Sequence, residues 1–101
     1  MTENERKDYL IAFGRRVRYY REKLGLTQKE LGVRAGYTDG TNPSASISKI
    51  ELGQVDITQT KAAELAAALN LEPYELITSP KVSHLVKYAE LMQKGGADVD
   101  I

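Results

Sequence analysis

With 101 residues and 42% apolar side chains, the chain has material for one domain with a modest core. Cysteine is absent, which excludes disulfides and fits a reducing cytoplasm. No apolar run approaches the roughly 18 residues of a membrane span, and the opening MTENERKDY is too polar for a signal peptide, so a cytoplasmic protein is expected.

Net charge is zero, but it is unevenly placed. Nine Lys/Arg face three Asp/Glu between Arg6 and Arg34, whereas five face nine from Ala35 onward. A basic early half and an acidic late half can orient a protein on a polyanion.

In chain order, Leu10, Phe13, Val17, Tyr20 and Leu24 form one apolar stripe at helical spacing, and Gly25 supplies a stop. Thr27 and Glu30 match a capping box that opens a second, short helix ending at Gly36, with Leu31 and Ala35 inward. A polar turn, Tyr37 to Asn42, follows. Asn42 then caps a third helix with Pro43 at its first position, and this helix runs to about Leu52 before Gly53. Ile47 and Ile50 face the core; Ser44, Ala45, Ser48 and Lys49 face outward.

Thr58 caps a fourth helix whose inner face is Ala62, Leu65, Ala66 and Leu69. A single turn follows at PYELI. Ser79-Pro80 opens a sixth helix to about Lys94, and an acidic tail ends the chain. No strand and no internal repeat is predicted. The expected organisation is an all-α domain over 1–78, a C-terminal helix over 79–94 and a flexible tail over 95–101.

The chemistry points to nucleic acid. Thr27-Gln28 at a helix start offers an amide side chain and backbone N–H groups at the positive end of a helix, an arrangement suited to phosphate. The following helix presents small hydrogen-bonding groups, which suit close approach to the major groove. Phosphate contacts would position such a pair while one helix reads bases.

The run FGRRVRYYREKLGLTQKELGVRAG, followed by SISKIELG and AAELAAALNLEPYEL, resembles the lambda repressor/Cro-like helix-turn-helix family, also called XRE. The resemblance covers roughly Phe13 to Ile77. It implies a five-helix lambda repressor-like DNA-binding domain, here with an additional C-terminal helix, whose second and third helices bind double-stranded DNA. It places Ser44 and Ala45 at the first base-reading positions, with Ser48 and Lys49 further along the same face. Gln28 matches a phosphate-binding glutamine, and the phosphate set becomes Thr27, Gln28, Lys29, Arg21, Thr41 and Asn42. Arg21 and Glu51 match a family ion pair.

Three departures from the pattern stand out. The turn Tyr37–Asn42 is enlarged; Leu52 stands where relatives carry a basic or amide residue; and Gln54 and Asp56 stand where they carry basic ones. Thr38, Thr41 and Asn42 are the residues through which the enlarged turn would add contacts. Tyr19, off the stripe, is placed either to stack on sugar–phosphate or to lie under the C-terminal helix.

His84, the only histidine, has no cluster around it for a metal, and no motif calls for an enzyme or cofactor. The apolar stripe Val82, Leu85, Val86, Ala89 and Met92 either packs back on its own domain or, the preferred reading, forms a homodimer. The function expected is a transcriptional regulator, a repressor on an inverted-repeat operator. Its alternatives are an antitoxin whose last helix masks a toxin, and an interaction module that has lost DNA binding. Glu64, Glu72 and Glu75 would form the acidic patch if polymerase were a partner.

Overall fold

The computed structural model describes residues 1–38 and 40–77. The sixth helix and the tail expected from the sequence lie outside the described residues. Five helices, α1 (Glu3–Lys23), α2 (Gln28–Arg34), α3 (Pro43–Glu51), α4 (Gln59–Ala68) and α5 (Tyr74–Ile77), make up the described fold, and no strand occurs among the described residues. None of the helices is long and apolar enough to cross a membrane.

The first helix is longer than its apolar stripe implies. Its 21 residues begin at a capping box in which the Thr2 hydroxyl accepts from Glu5 N–H and the Glu5 carboxylate accepts from Thr2 N–H. Arg6 then reaches both Glu3, at 2.9 Å, and Asp56, at 2.7 Å, joining this extension to the chain beyond α3. At the other end Leu24 is 43% exposed, against the expectation that it lies on the inner stripe. The reason is local: Gly25 has φ +72°, the chain reverses there, and Leu26 takes the inward place instead.

Four helices stop in one way. At α1, α2, α3 and α4 a residue with positive φ (Gly25, Gly36, Gly53, Asn70) is followed by one whose N–H returns to the preceding turn. These returns run Leu26 to Arg21 O, Tyr37 to Gly32 O, Gln54 to Lys49 O and Leu71 to Ala66 O, at 2.8–3.1 Å. This Schellman geometry satisfies carbonyls that a helix end leaves open. Leu26, Tyr37 and Leu71 also pack on the core, so three of the four stops double as anchors.

The core gathers Phe13 and Val17 of α1, Leu31 and Ala35 near α2, Ile47 and Ile50 of α3, the α4 face Ala62, Leu65, Ala66 and Leu69, and Leu76 of α5. Every inward residue expected on the second, third and fourth helices is buried. Burying the Phe, Val, Leu and Ile side chains among these contributes about 1.5–3 kcal/mol each relative to exposure. The α5 turn is fastened to α1 by polar bonds, with Tyr9 Oη donating to Ile77 O at 2.9 Å and Arg16 Nη1 to Leu76 O at 3.3 Å.

The Thr27–Glu30 capping box forms as the sequence predicts, with bonds of 2.8 and 3.0 Å. Replacing Thr27 by alanine leaves Glu30 N–H uncapped and removes about 1 kcal/mol of stability in urea unfolding. Thr58→Ala at the matching cap of α4 serves as the comparison and loses a similar amount.

Candidate nucleic-acid interface

Helices α2 and α3 make the most extensive helix–helix contact of the domain. Glycine permits it. A Cβ on Gly32 of α2 would lie 2.6 Å from Pro43 Cβ and 2.7 Å from Pro43 O, so the start of α3 rests directly on the α2 backbone. Pro43 contributes no N–H there, and Asn42 Oδ1 accepts from Ala45 N–H at 3.1 Å, closing the helix start.

The other end of α3 is held by a charged hub. Glu51 is buried, and its carboxylate receives Arg21 Nε at 2.6 Å, Arg21 Nη2 at 3.1 Å and Gln28 Nε2 at 3.1 Å. Arg21 Nη1 donates to Leu26 O at 2.9 Å. The hydrogen bond to Glu51 is the main cause that raises the Arg21 pKa above its ordinary value, with burial opposing it. One carboxylate therefore ties together the C-terminal ends of α1 and α3 and the start of α2. A bidentate guanidinium–carboxylate pair fixes orientation as well as distance.

These bonds redistribute the residues expected at phosphate. Arg21 and Gln28 are brought together, but on Glu51: the Arg21 side chain is 12% exposed and serves first as scaffold. Gln28 is half-buried and keeps its second amide hydrogen and its carbonyl oxygen outside that bond. The start of α2 is less open than expected, because Thr27 and Glu30 cap each other, which leaves the N–H groups of Gln28 and Lys29 as the ends of the helix ladder. The Thr27 backbone N–H and then its hydroxyl hold the Glu30 carboxyl below the usual glutamate range, so a negative charge stands beside that helix start. Asn42 likewise has its side-chain oxygen in the α3 cap, with its NH₂ remaining. Lys29 and Thr41 are exposed.

Of the outer face of α3, Lys49 is exposed, and Ser44, Ala45 and Ser48 are half-buried. The face is shallower than that of a fully projecting helix. Among the described residues Lys29 and Lys49 carry no ion pair, whereas Arg6, Arg18, Arg21 and Lys61 do. The basic charge of α1 is thus partly internal. Tyr19 is 57% exposed, edge-on to Tyr20 with ring centroids 5.1 Å apart, and Lys23 Nζ lies 5.5 Å from its ring centre.

The enlarged turn has an anchor that sequence reasoning missed. Lys61 of α4 donates to Ala35 O at 2.9 Å, pairs with Glu64 at 2.7 Å and places its ammonium 4.1 Å from the centre of the Tyr37 ring. A cation over an aromatic face is attractive when partly desolvated. Burial raises the Tyr37 phenol pKa, and Lys61 works against that shift. No local pattern connects two residues so far apart in the chain. The turn is therefore pinned at its first residue and capped at Asn42, with Gly40 at φ +68° between them.

A family model described as Helix-turn-helix matches residues 17–76, more than half of the chain and all of α2, α3 and α4. The chain belongs to the lambda repressor/Cro-like helix-turn-helix family. No curated protein and no solved structure gives a match. This helix-turn-helix domain is a DNA-binding regulatory unit, with DNA as its partner. The matched span begins inside α1 and ends inside α5, so the N-terminal turns of α1 and the residues after Leu76 lie outside it.

Proposed function

We propose that this helix-turn-helix domain is a transcriptional repressor that binds an inverted-repeat operator as a homodimer, with α3 in the major groove. The observation that carries the reading is the outer face of α3, where Ser44, Ala45, Ser48 and Lys49 flank one another beside the start of α2. Serine exchanges hydrogen bonds with several base edges, alanine fits against a thymine methyl, and lysine reaches guanine acceptors or phosphate. Lys29, Thr41, the Asn42 amide and the second amide hydrogen of Gln28 are the groups assigned to phosphate.

Dimeric binding follows from magnitude. Each well-made base contact discriminates by about 1–3 kcal/mol, and a face with three short side chains and one lysine makes few of them. Specific binders exceed their non-specific affinity by about 4–10 kcal/mol. Two copies on two half-sites bring the reader set into that range. Repression is the preferred sign, because occluding a promoter requires only occupancy. Of the acids that would face polymerase, Glu64 pairs with Lys61 and Glu75 caps Glu72 N–H at 2.9 Å, which favours the same choice.

Titrating the protein against duplex DNA over a range of salt concentrations tests the reading. Log affinity should fall steeply with log salt, by about 0.9 per phosphate neutralised. Lys49→Ala should weaken binding about tenfold. It should lower the salt slope by about 1 if Lys49 meets phosphate, or relax base preference if it meets a base. A shallow slope unchanged by Lys49→Ala would contradict the assignment.

A further inference from the structure

An apolar groove of about 370 Å³ opens between the N-terminal half of α1, the start of α4 and α5, lined by Tyr9, Leu10, Phe13, Ile57, Ala62 and Ile77 among others. It takes no part in the face assigned to DNA. One wall, Tyr9 to Phe13, comes from the part of α1 that precedes the family match, and Ile77 follows that match. Two stretches just outside the matched span therefore meet here, and the Tyr9 Oη to Ile77 O bond joins them at 2.9 Å.

The chain leaves the described fold at the edge of this groove. Ile77 is both a lining residue and the last described one, and 24 residues follow it in the sequence. Those residues bring Val82, Leu85, Val86, Ala89 and Met92 at helical spacing, with Lys81, Lys87 and Lys94 between and around them. Glu72, exposed and next in the chain to the lining residue Pro73, offers these lysines a countercharge at the rim.

We propose that the groove is the seat of the chain's own residues 79–94, with the Val82–Met92 stripe facing Tyr9, Leu10, Ile57 and Ile77, the lining residues that keep accessible surface. The tether decides between the chain's own segment and that of a second copy. Only Thr78 and Ser79 separate Ile77 from Pro80. The three residue steps from Ile77 to Pro80 span up to about 10 Å when extended, roughly the width of one helix, so the segment starts at the edge of the groove. A short tether gives an effective concentration of about millimolar, far above that of a second copy at micromolar protein. The stripe is thereby assigned to the chain's own domain, and copies on an operator meet through another surface.

The absence of native cysteine makes the test clean. Ala63 lines the groove and is exposed. In the full-length chain, Ala63→Cys is combined in turn with Leu85→Cys, Val86→Cys and Ala89→Cys, and with Lys87→Cys as a control, then oxidised at micromolar protein. The expected result is a disulfide within one chain in at least one stripe variant, seen as loss of both thiols without a covalent dimer, and little in the control. Covalent dimers as the main product would assign the groove to a second copy. No cross-link in any stripe variant, or equal cross-linking of the control, would also overturn the proposal.

Discussion

Glu51→Ala is expected to remove about 3 kcal/mol of stability, more than half of what a marginal domain possesses. The carboxylate is buried, and its loss strands Arg21, whose side chain is only 12% exposed, beside an apolar core. Breaking a buried pair from one side leaves the other charge desolvated and unpaired, which is the source of the large cost. Gln28 loses its acceptor at the same time. Removing both charges together, as Arg21→Met with Glu51→Leu, should restore most of the lost stability, because no charge is then left behind. Urea midpoints of the wild type, the single variant and the double variant check this. A single variant within about 0.5 kcal/mol of wild type would mean that solvent reaches Arg21 freely and that the hub is not holding α3.

Gly14→Ala is expected to cost about 2–3 kcal/mol, even though alanine favours an isolated helix by roughly 1 kcal/mol. A Cβ at Gly14 would press into the Ile50 carbonyl oxygen and come within 2.6 Å of Glu51 O, and backbone cannot swing aside as a side chain can. Gly14, Val17 and Arg21 lie on one face of α1 at helical spacing, so this contact also sets the distance across which Arg21 meets Glu51. The substitution should therefore loosen the hub as well as the packing. Gly25→Ala separates crowding from backbone conformation: nothing lies within 4 Å of its Cβ, but φ is +72°, and about 1 kcal/mol is expected. If Gly14→Ala were as mild as Gly25→Ala, α1 and α3 would have room to part.

The same residues explain what the sequence could disclose. The stops of α1, α2 and α3 were legible because glycine at positive φ is a local requirement, and inner faces because Leu31, Ile47, Ile50, Leu65 and Leu69 recur at helical spacing. The first two turns of α1 carry charged residues and no apolar stripe, so periodicity passed over them; the Thr2–Glu5 capping pattern was the signal present. Mid-helix glycines at 14 and 32 mark close approach in principle, but their partners, Ile50 and Pro43, are set by how helices cross. The Arg21–Glu51 pair came from family resemblance. That Gln28 joins it, and that Lys61 covers Tyr37, depends on tertiary distances that no spacing encodes. Ser44, Ala45, Ser48 and Lys49, proposed to read bases, lie on α3 with only Lys49 fully exposed.

The claim that α3 reads DNA is tested most directly by selecting bound duplexes from a random library with the purified full-length protein at physiological salt. The expected result is an enriched inverted repeat with half-sites about one helical turn apart, whose preferred bases shift when Lys49 or Ser44 is replaced. Recovery of unenriched sequence, with wild type and Lys49→Ala alike, would contradict it and leave the helix pair as scaffold.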